Sequence, residues 1–222
     1  MKSSIIITSY NYGRYVERCI RSCLNQKLVA SGSFEVIVVD DNSQDDTLAI
    51  IEKYKTLPNF RVIANPTNVG VAEAANIGVR ASLGRFFVRV DADDYISEKL
   101  LFFLESYLAF NDDAFGVACD YLVVDENENA IGRRHAEEHP VSCGILYRRD
   151  LFVQAGLYNP DFRHREEEEL RLRMGSYYQL HFLRMPLYRY RMHNSNKTKQ
   201  ADYHLFEQKL NELHRPPSVG ET

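Results

Sequence analysis

The sequence predicts an α/β fold: a single Rossmann-like domain whose mostly parallel central sheet is flanked by helices and followed by a smaller, mixed second half. Three observations carry this. Short β-branched runs alternate with helix-periodic stretches through residues 1–95, the pattern of right-handed strand–helix–strand crossovers. Each run ends in a loop of Asp, Asn, Ser or Gly. The fourth run, with Phe86, Phe87, Val88 and Val90, stops at Asp91, Asp93 and Asp94, because unpaired carboxylates cannot continue into a core.

Residues 4–8 form the first strand and Ser9 to Gly13 its loop, with Asn11 the expected helix cap. Val16, Cys19, Ile20, Cys23 and Leu24 then recur at three- and four-residue intervals, leaving Glu17, Arg18 and Arg21 outside, as in an amphipathic helix. Residues 34–39 are the second strand, Asp40-Asp41-Asn42-Ser43 its loop and 47–54 its helix. Strand 61–64, loop 65–70 and helix 71–81 complete a third round. Past Asp94, Ser97 is the expected cap of a helix over 98–110 with Leu100, Leu101, Leu104 and Leu108 inward. Residues 115–124 read as a strand, 125–129 as a polar turn and 130–134 as a hairpin return. The stretch 142–146, small and then apolar, is consistent with a strand close to a ligand, and 149–155 is a short helix closed by Gly156. An apolar and aromatic run over 183–190 leads into Arg191-Met192-His193, a helix covers 202–213, and 215–222 is a loose tail. One domain over 1–214 therefore has two halves, 1–95 and 96–214.

With 222 residues, 45% hydrophobic and 26% charged, the chain has an ordinary globular composition. Its net charge of −4 argues against a nucleic-acid partner. Arg163, Arg165, Arg171, Arg173, Arg184, Arg189 and Arg191 gather late. They could offset phosphate charge or lie on solvated helix faces. Cys19 and Cys23, one helical turn apart, read as core residues. With no CxxC pair or Cys/His cluster, neither zinc nor a disulfide framework is expected. The apolar run in MKSSIIIT is too short for a signal peptide or membrane span, so a cytoplasmic protein is expected.

If all four strand ends share one edge, that edge is where open α/β sheets bind ligands. It gathers Thr8, Ser9, Tyr10 and Asn11, then Asp40 and Asp41, then Asn68 and Gly70, then Asp91, Asp93 and Asp94. Neither GxGxxG nor GxxxxGK[ST] is present, which argues against a dinucleotide fold and a P-loop. An acid pair can hydrogen-bond a base or ribose, and Tyr10 or Tyr12 can stack on a ring. The later aspartates suit Mg²⁺ or Mn²⁺, with further ligands from a bound phosphate; the alternative is an acidic loop that caps the next helix. Farther on, Glu166 to Glu169 open a helix, where the dipole favours them. Residues i and i+2 point in roughly opposite directions, so at least one glutamate should turn toward the sheet edge.

The strings IIITSYNYGRYVERCIRSCLNQ, VIVVDDNSQDDT, NPTNVGVAEAANIGVRAS and FFVRVDADD, in this order and spacing, resemble the inverting family-two glycosyltransferases of GT-A fold. The resemblance implies transfer of a sugar from a nucleotide-diphosphate donor to a hydroxyl acceptor. By position it assigns the donor to Thr8, Ser9, Tyr10, Asp40 and Asp41, with Asp41 favoured for the base, and to Asn68, Asn76, Asp91 and Ala92. The Asp-x-Asp motif maps to Asp91-Ala92-Asp93, implying Mg²⁺ or Mn²⁺ with Asp93 the direct ligand. The closing Arg-x-His segment makes His193 a third metal ligand, a diphosphate donor or a hydrogen-bonded structural residue. Laid on Glu166-Glu167, the family's Glu-Asp-x-Asp-Leu makes Glu167 the general base, with Glu166 the alternative because glutamate replaces the usual aspartate. A UDP-sugar donor, a glycan or lipid-linked glycan acceptor and a peripheral membrane contact are the partners implied. Two other classes compete. A sugar-phosphate nucleotidyltransferase would carry a Gly-rich loop after the first strand, absent here, and an inactive nucleotide-sugar-binding module would have lost the acidic residues that this chain keeps.

Overall fold

A computed structural model describes residues 2–29, 33–194, 196 and 203–214. The tail expected over 215–222 lies outside the described residues. Among these, nine strands form one sheet: β1 (Ser3–Ser9), β2 (Phe34–Asp40), β3 (Phe60–Ala64), β4 (Phe86–Asp91), β5 (Tyr95–Ile96), β6 (Gly116–Val124), β7 (Ala130–Arg134), β8 (Ile145–Arg148) and β9 (Leu180–Arg191). The helices are α1 (Gly13–Leu24), α2 (Thr47–Glu52), α3 (Val71–Ala81), α4 (Leu100–Phe110), α5 (Arg149–Gln154), α6 (Glu166–Met174) and α7 (Tyr203–Leu213), with a short 3₁₀ turn, Gly175–Tyr177.

The sheet order is β3-β2-β1-β4-β8-β6-β9-β5, with β7 on β6. The first four strands are parallel, as expected of crossover units. Beyond β4 the sheet is mixed: β8 is antiparallel to both β4 and β6, while β9 runs parallel to β6 and antiparallel to β5. All seven residues of β1 and of β2 are buried. Alternation sends Ile5, Ile7, Val36, Val38, Val88 and Val90 to one face, with Val16, Ile20 and Leu104 of α1 and α4. Ile6, Ile37, Val39 and Phe87 go to the other, with Ala75 and Val79 of α3 and Phe152 of α5. Helices thus cover both faces, which is why these strands read as continuous apolar runs. Gly78 lets α3 approach closely: a Cβ there would stand 2.4 Å from Ile6 Cγ2.

Register places the site. Thr8 pairs with Asp91 and Ser9 with Asp40, so these strand ends reach one edge together. Some local expectations need correction. Asn11 does not cap α1: its φ is +58° and its Oδ1 accepts from Gln44 N at 2.7 Å. The start of α1 is held instead from the second loop, by Asp45 Oδ2 accepting from Gly13 N and Thr47 Oγ1 from Tyr12 N. Lys99, not Ser97, occupies the cap of α4. The strand expected over 142–146 begins at Ile145, because Gly144 takes φ +72° beside the Tyr188 ring.

Candidate active site

A cleft of about 790 Å³ opens at this edge, between the loops after β1 to β4 and the N-terminus of α6, within the usual range for small-molecule sites. At one end Thr8, Ser9, Tyr10, Asp41, Asn68 and Gly70 line it. Asp41 is 4% exposed; Oδ1 accepts from Asn65 Nδ2 and Val69 N, each at 2.9 Å, and Oδ2 from Gly70 N at 2.8 Å. These bonds tie the second and third loops together and fix Asp41 against the wall. Gly70 adopts φ +88°, with the Arg163 side chain packed over it. Among the described residues the Ser9 hydroxyl, buried on the cleft wall, finds no hydrogen-bond partner, and a polar ligand would satisfy it.

In the middle lie the acids that end β4. Thr8 Oγ1 donates to Asp91 Oδ1 at 3.0 Å, and Arg89 Nε donates to the same oxygen at 3.1 Å. Asp93 Oδ2 lies 2.9 Å from His193 Nε2, and His193 stacks on Tyr15 at 5.0 Å. Tyr12 bonds to Asp93; burial first, then the charges of Asp93 and Asp91, raise its phenol well above the usual value. Asp94 accepts from Tyr188 Oη at 2.7 Å and from Arg191 N at 2.8 Å. Burial, reinforced by Asp93 and Asp91, raises its carboxyl above the carboxylate range. Asp94 therefore anchors β9. Asp91 and Asp93, which line the cleft, are hard oxygen donors side by side, which fits a Mg²⁺ or Mn²⁺ that draws its other ligands from phosphate and water. Among the described residues no group of three or more acids, histidines or cysteines could hold a metal by itself.

The four glutamates of α6 have four different surroundings. Glu166 is 4% exposed and pairs with Arg89, Oε1 to Nη1, at 2.6 Å. Burial opposes the Arg89 charge, but Asp91 and Glu166 outweigh it and keep the guanidinium protonated. Glu167 reaches into a group of tyrosines: Tyr158 Oη donates to Oε2 at 3.1 Å, and the Tyr178 hydroxyl donates to Oε1. Burial raises the Glu167 pKa, although these hydroxyls pull it back. Glu168 is the most exposed and pairs with Arg165 at 3.2 Å. Glu169 is fully buried and takes Arg173 on both oxygens, at 2.8 and 3.1 Å, while Arg173 Nη2 also reaches Leu157 O. The buried residues Glu166, Glu169 and Leu170 follow helical spacing. Three of the four, Glu166, Glu167 and Glu169, turn inward, where at least one was expected to.

Of the residues singled out in the sequence, the fold brings Thr8, Ser9, Tyr10, Asp41, Asn68, Asp91, Asp93, Glu166 and Glu167 to one cleft. Others are occupied elsewhere. Asp40 is turned into its own loop, accepting from Ser43 N and Oγ. Asn76 is fully buried on α3 and bonds both backbone groups of Tyr158. Ala92 is buried in the core beside α1 and α4. His193 does not line the cleft itself; it meets residues that do, Asp93 through Nε2 and Asn196 through its backbone N. Of the late arginines, Arg163, Arg165 and Arg171 line the cleft; Arg184 bonds Glu137 of the cleft wall and Arg191 Nε donates to Asp93 O, while Arg173 and Arg189 bond carboxylates or carbonyls elsewhere. Sequence reasoning missed Arg89, although a lone arginine within the FFVRV run was its signal. Tyr158 and Tyr178 carried no signal, since only tertiary contacts bring them to Glu167.

Comparison with known proteins follows the same outline. The glycosyl transferase family 2 profile matches residues 4–177, well over half of the chain. The poly(ribitol-phosphate) beta-N-acetylglucosaminyltransferase TarS of Staphylococcus aureus is 38% identical over 102 residues, covering 46% of this chain and 18% of the relative. The chondroitin synthase of Pasteurella multocida is 39% identical over 94 residues, covering 42% of this chain and 9% of the relative. The chain thus spans a minor part of the length of these two relatives. A crystal structure of TarS 1–349 in complex with UDP-GlcNAc superposes with TM-score 0.80 at 22% identity, covering 96% of this chain and 66% of that one. The mannosyltransferase PcManGT of Pyrobaculum calidifontis, in complex with GDP-Man and Mn²⁺, superposes with TM-score 0.69 at 17% identity over 92% of this chain and 59% of that one. The fold is that of the GT-A glycosyltransferases, and the chain belongs to glycosyl transferase family 2.

Proposed function

We propose that this chain is a glycosyltransferase domain that moves a sugar, with inversion, from a nucleotide-diphosphate donor to a hydroxyl of a glycan or lipid-linked glycan. The observation that carries the reading is the single cleft that joins the loops of Thr8, Tyr10 and Asp41, the acids Asp91 and Asp93, and Glu167. Residues 1–95 serve the donor and residues 96–214 the acceptor. Asp41 and Asn68 hold the base and ribose, with Tyr10, 38% exposed at the mouth, against the ring. A UDP-sugar is the first donor to test, because TarS is seen with UDP and with UDP-GlcNAc. Mg²⁺ or Mn²⁺, held by Asp93 with Asp91, would neutralise charge on the departing diphosphate. Relatives named as a poly(ribitol-phosphate) beta-N-acetylglucosaminyltransferase and as chondroitin and hyaluronan synthases favour a role in cell-surface glycan or polysaccharide synthesis.

Glu167 takes the proton of the acceptor hydroxyl as that oxygen bonds to the anomeric carbon and the carbon–phosphate-oxygen bond breaks. The nucleoside diphosphate leaves with the electron pair. A base must reach the proton first and have suitable basicity second. Glu167 lines the cleft and is raised by burial, whereas Glu166 is fastened to Arg89. Among the described residues no helix is long and apolar enough to cross a membrane. A lipid-linked acceptor would bring the chain to the cytoplasmic face of the membrane by surface contact.

The test is a panel of nucleotide sugars with Mg²⁺ or Mn²⁺ and glycan acceptors. Release of nucleoside diphosphate that depends on acceptor and on one donor supports the reading. Pyrophosphate chemistry, or binding without turnover across the panel, would overturn it.

A further inference from the structure

Three tyrosines from separate parts of the chain surround Glu167: Tyr147 on β8, Tyr158 after α5 and Tyr178 after the 3₁₀ turn. Tyr147 and Tyr158 are 0% and 1% exposed, while Tyr178 lines the cleft beside Glu167. Tyr158 donates to Oε2 and Tyr178 to Oε1. The hydroxyls of Tyr147 and Tyr178 stand 3.0 Å apart. A hydroxyl carries one hydrogen, and that of Tyr178 points to Glu167, so Tyr147 donates to Tyr178. Packing alone does not require this convergence. A buried tyrosine needs only one partner, which a backbone carbonyl can supply; here two hydroxyls meet on one carboxylate and a third supports them.

We propose that Tyr158 and Tyr178 are positioning residues for Glu167, each holding one carboxylate oxygen so that the remaining lone pairs face the acceptor hydroxyl in the cleft. The proposal rests on Glu167 being the base. An ionised carboxylate has about four acceptor positions; two are taken and fix the plane of the group, leaving the others for the incoming proton. Burial first, and the charge of Glu167 next, hold the phenols of Tyr147, Tyr158 and Tyr178 well above their ordinary value, so they remain neutral donors and do not take the proton themselves. The other charges facing this group are Glu166, which raises Glu167 further, Arg171 near Tyr178, and Arg89, whose guanidinium lies 5.9 Å from the Tyr158 ring centroid.

Tyr178→Phe and Tyr158→Phe each remove one oxygen and keep the ring. Two measurements separate positioning from packing: the pH profile of nucleoside diphosphate release from the active donor of the panel, and the titration of ¹³C-carboxyl-labelled glutamate, with Glu167 assigned as the resonance lost in Glu167→Gln. A hydroxyl donor favours the ionised form, so its loss raises the Glu167 pKa. The acid limb of kcat and the ¹³C midpoint should both move up by about one to two pH units, with turnover recovering at higher pH. Tyr147→Phe removes both the donor to Tyr178 and a hydroxyl that itself lowers the Glu167 pKa, so it should move both in the same direction. Phenylalanine variants whose limb and midpoint stay in place, beside an inactive Glu167→Gln, would overturn the positioning role and leave the base standing. A Glu167→Gln variant with normal turnover would overturn both.

Discussion

Arg89→Met tests whether the buried cation between the two acidic elements holds the site together. Methionine keeps much of the aliphatic stem and removes the guanidinium. In the wild type Arg89 Nη1 lies 2.6 Å from Glu166 Oε1, and the two side chains are 4% and 5% exposed. Removing one member of a buried pair leaves the other as an uncompensated charge, at a cost of about 3–5 kcal/mol. Asp91 also loses a partner, but its side chain is 31% exposed and Thr8 still donates to it, so its share should stay below about 1 kcal/mol. In a domain of this size such a loss lowers the melting midpoint by roughly 10 °C. Adding Glu166→Gln removes the stranded charge, so Arg89→Met/Glu166→Gln should recover more than half of the stability lost by Arg89→Met alone. Urea denaturation of wild type, both single variants and the double variant closes the cycle. An Arg89→Met cost under about 1 kcal/mol, or a double variant equal to the sum of its singles, would refute the argument, because independent sites add and a coupled buried pair does not.

Glu167→Gln should bind the donor with near-normal affinity and lower turnover by a factor of about 10² to 10⁴, while Glu168→Gln, whose carboxylate is already paired with Arg165 at the cleft, should lower it far less; steady-state kinetics of both variants decide it, and an active Glu167→Gln beside a dead Glu166→Gln would move the base by one residue. Asp93→Ala should abolish transfer and metal-dependent donor binding, with Asp91→Ala milder; normal turnover of the Asp93 variant in the presence of a chelator would remove the metal assignment. Burial raises the folded-state pKa of Glu167 above an unfolded value of about 4.3. Its contribution to stability is therefore intact below about pH 4.3 and is lost as pH rises through the folded-state pKa. Glu167→Gln should accordingly gain in melting temperature relative to wild type between pH 4 and pH 7, and a margin that shrinks over that range would contradict the burial of the charge.

Much of the first half was legible because its signals are local. Ile5 to Ile7, Val36 to Val39 and Phe86 to Val90 announce buried strands, each followed by polar loop residues, and topology then brings their ends together. The second half is held by long-range pairs that no local pattern specifies. Nothing in residues 145–148 states that they insert between β4 and β6, and nothing in 95–96 states that they pair with β9. The acidic run is an intermediate case. Helical geometry required that some glutamate leave the solvent, but the choice depended on Arg89, Tyr158, Tyr178 and Arg173, which lie up to 77 residues away along the chain. Asn11 failed as a cap for the same reason: the groups that complete the start of α1 come from Asp45 and Thr47.

The insertion of β8 beside β4 has a consequence for how such a chain diversifies. Position 95 divides the parallel part of the sheet from the mixed part in sequence, yet the rungs Phe86↔Arg148, Phe87↔Tyr147 and Val88↔Leu146 cross it, as do the bonds from Asp94 to Tyr188 and Arg191. A chimera cut there and joined to the second half of a relative would have to rebuild each rung across a foreign surface. The stretches 135–144 and 158–165 contribute Glu137, Pro140, Val141 and Arg163 to the cleft wall and contain no strand of the sheet. Exposed positions there, such as Glu137 and Arg163, can change without disturbing the ladder, whereas Tyr158 and Phe162, buried in the same stretches, cannot, so the cleft wall is open to change residue by residue and closed to exchange of whole halves.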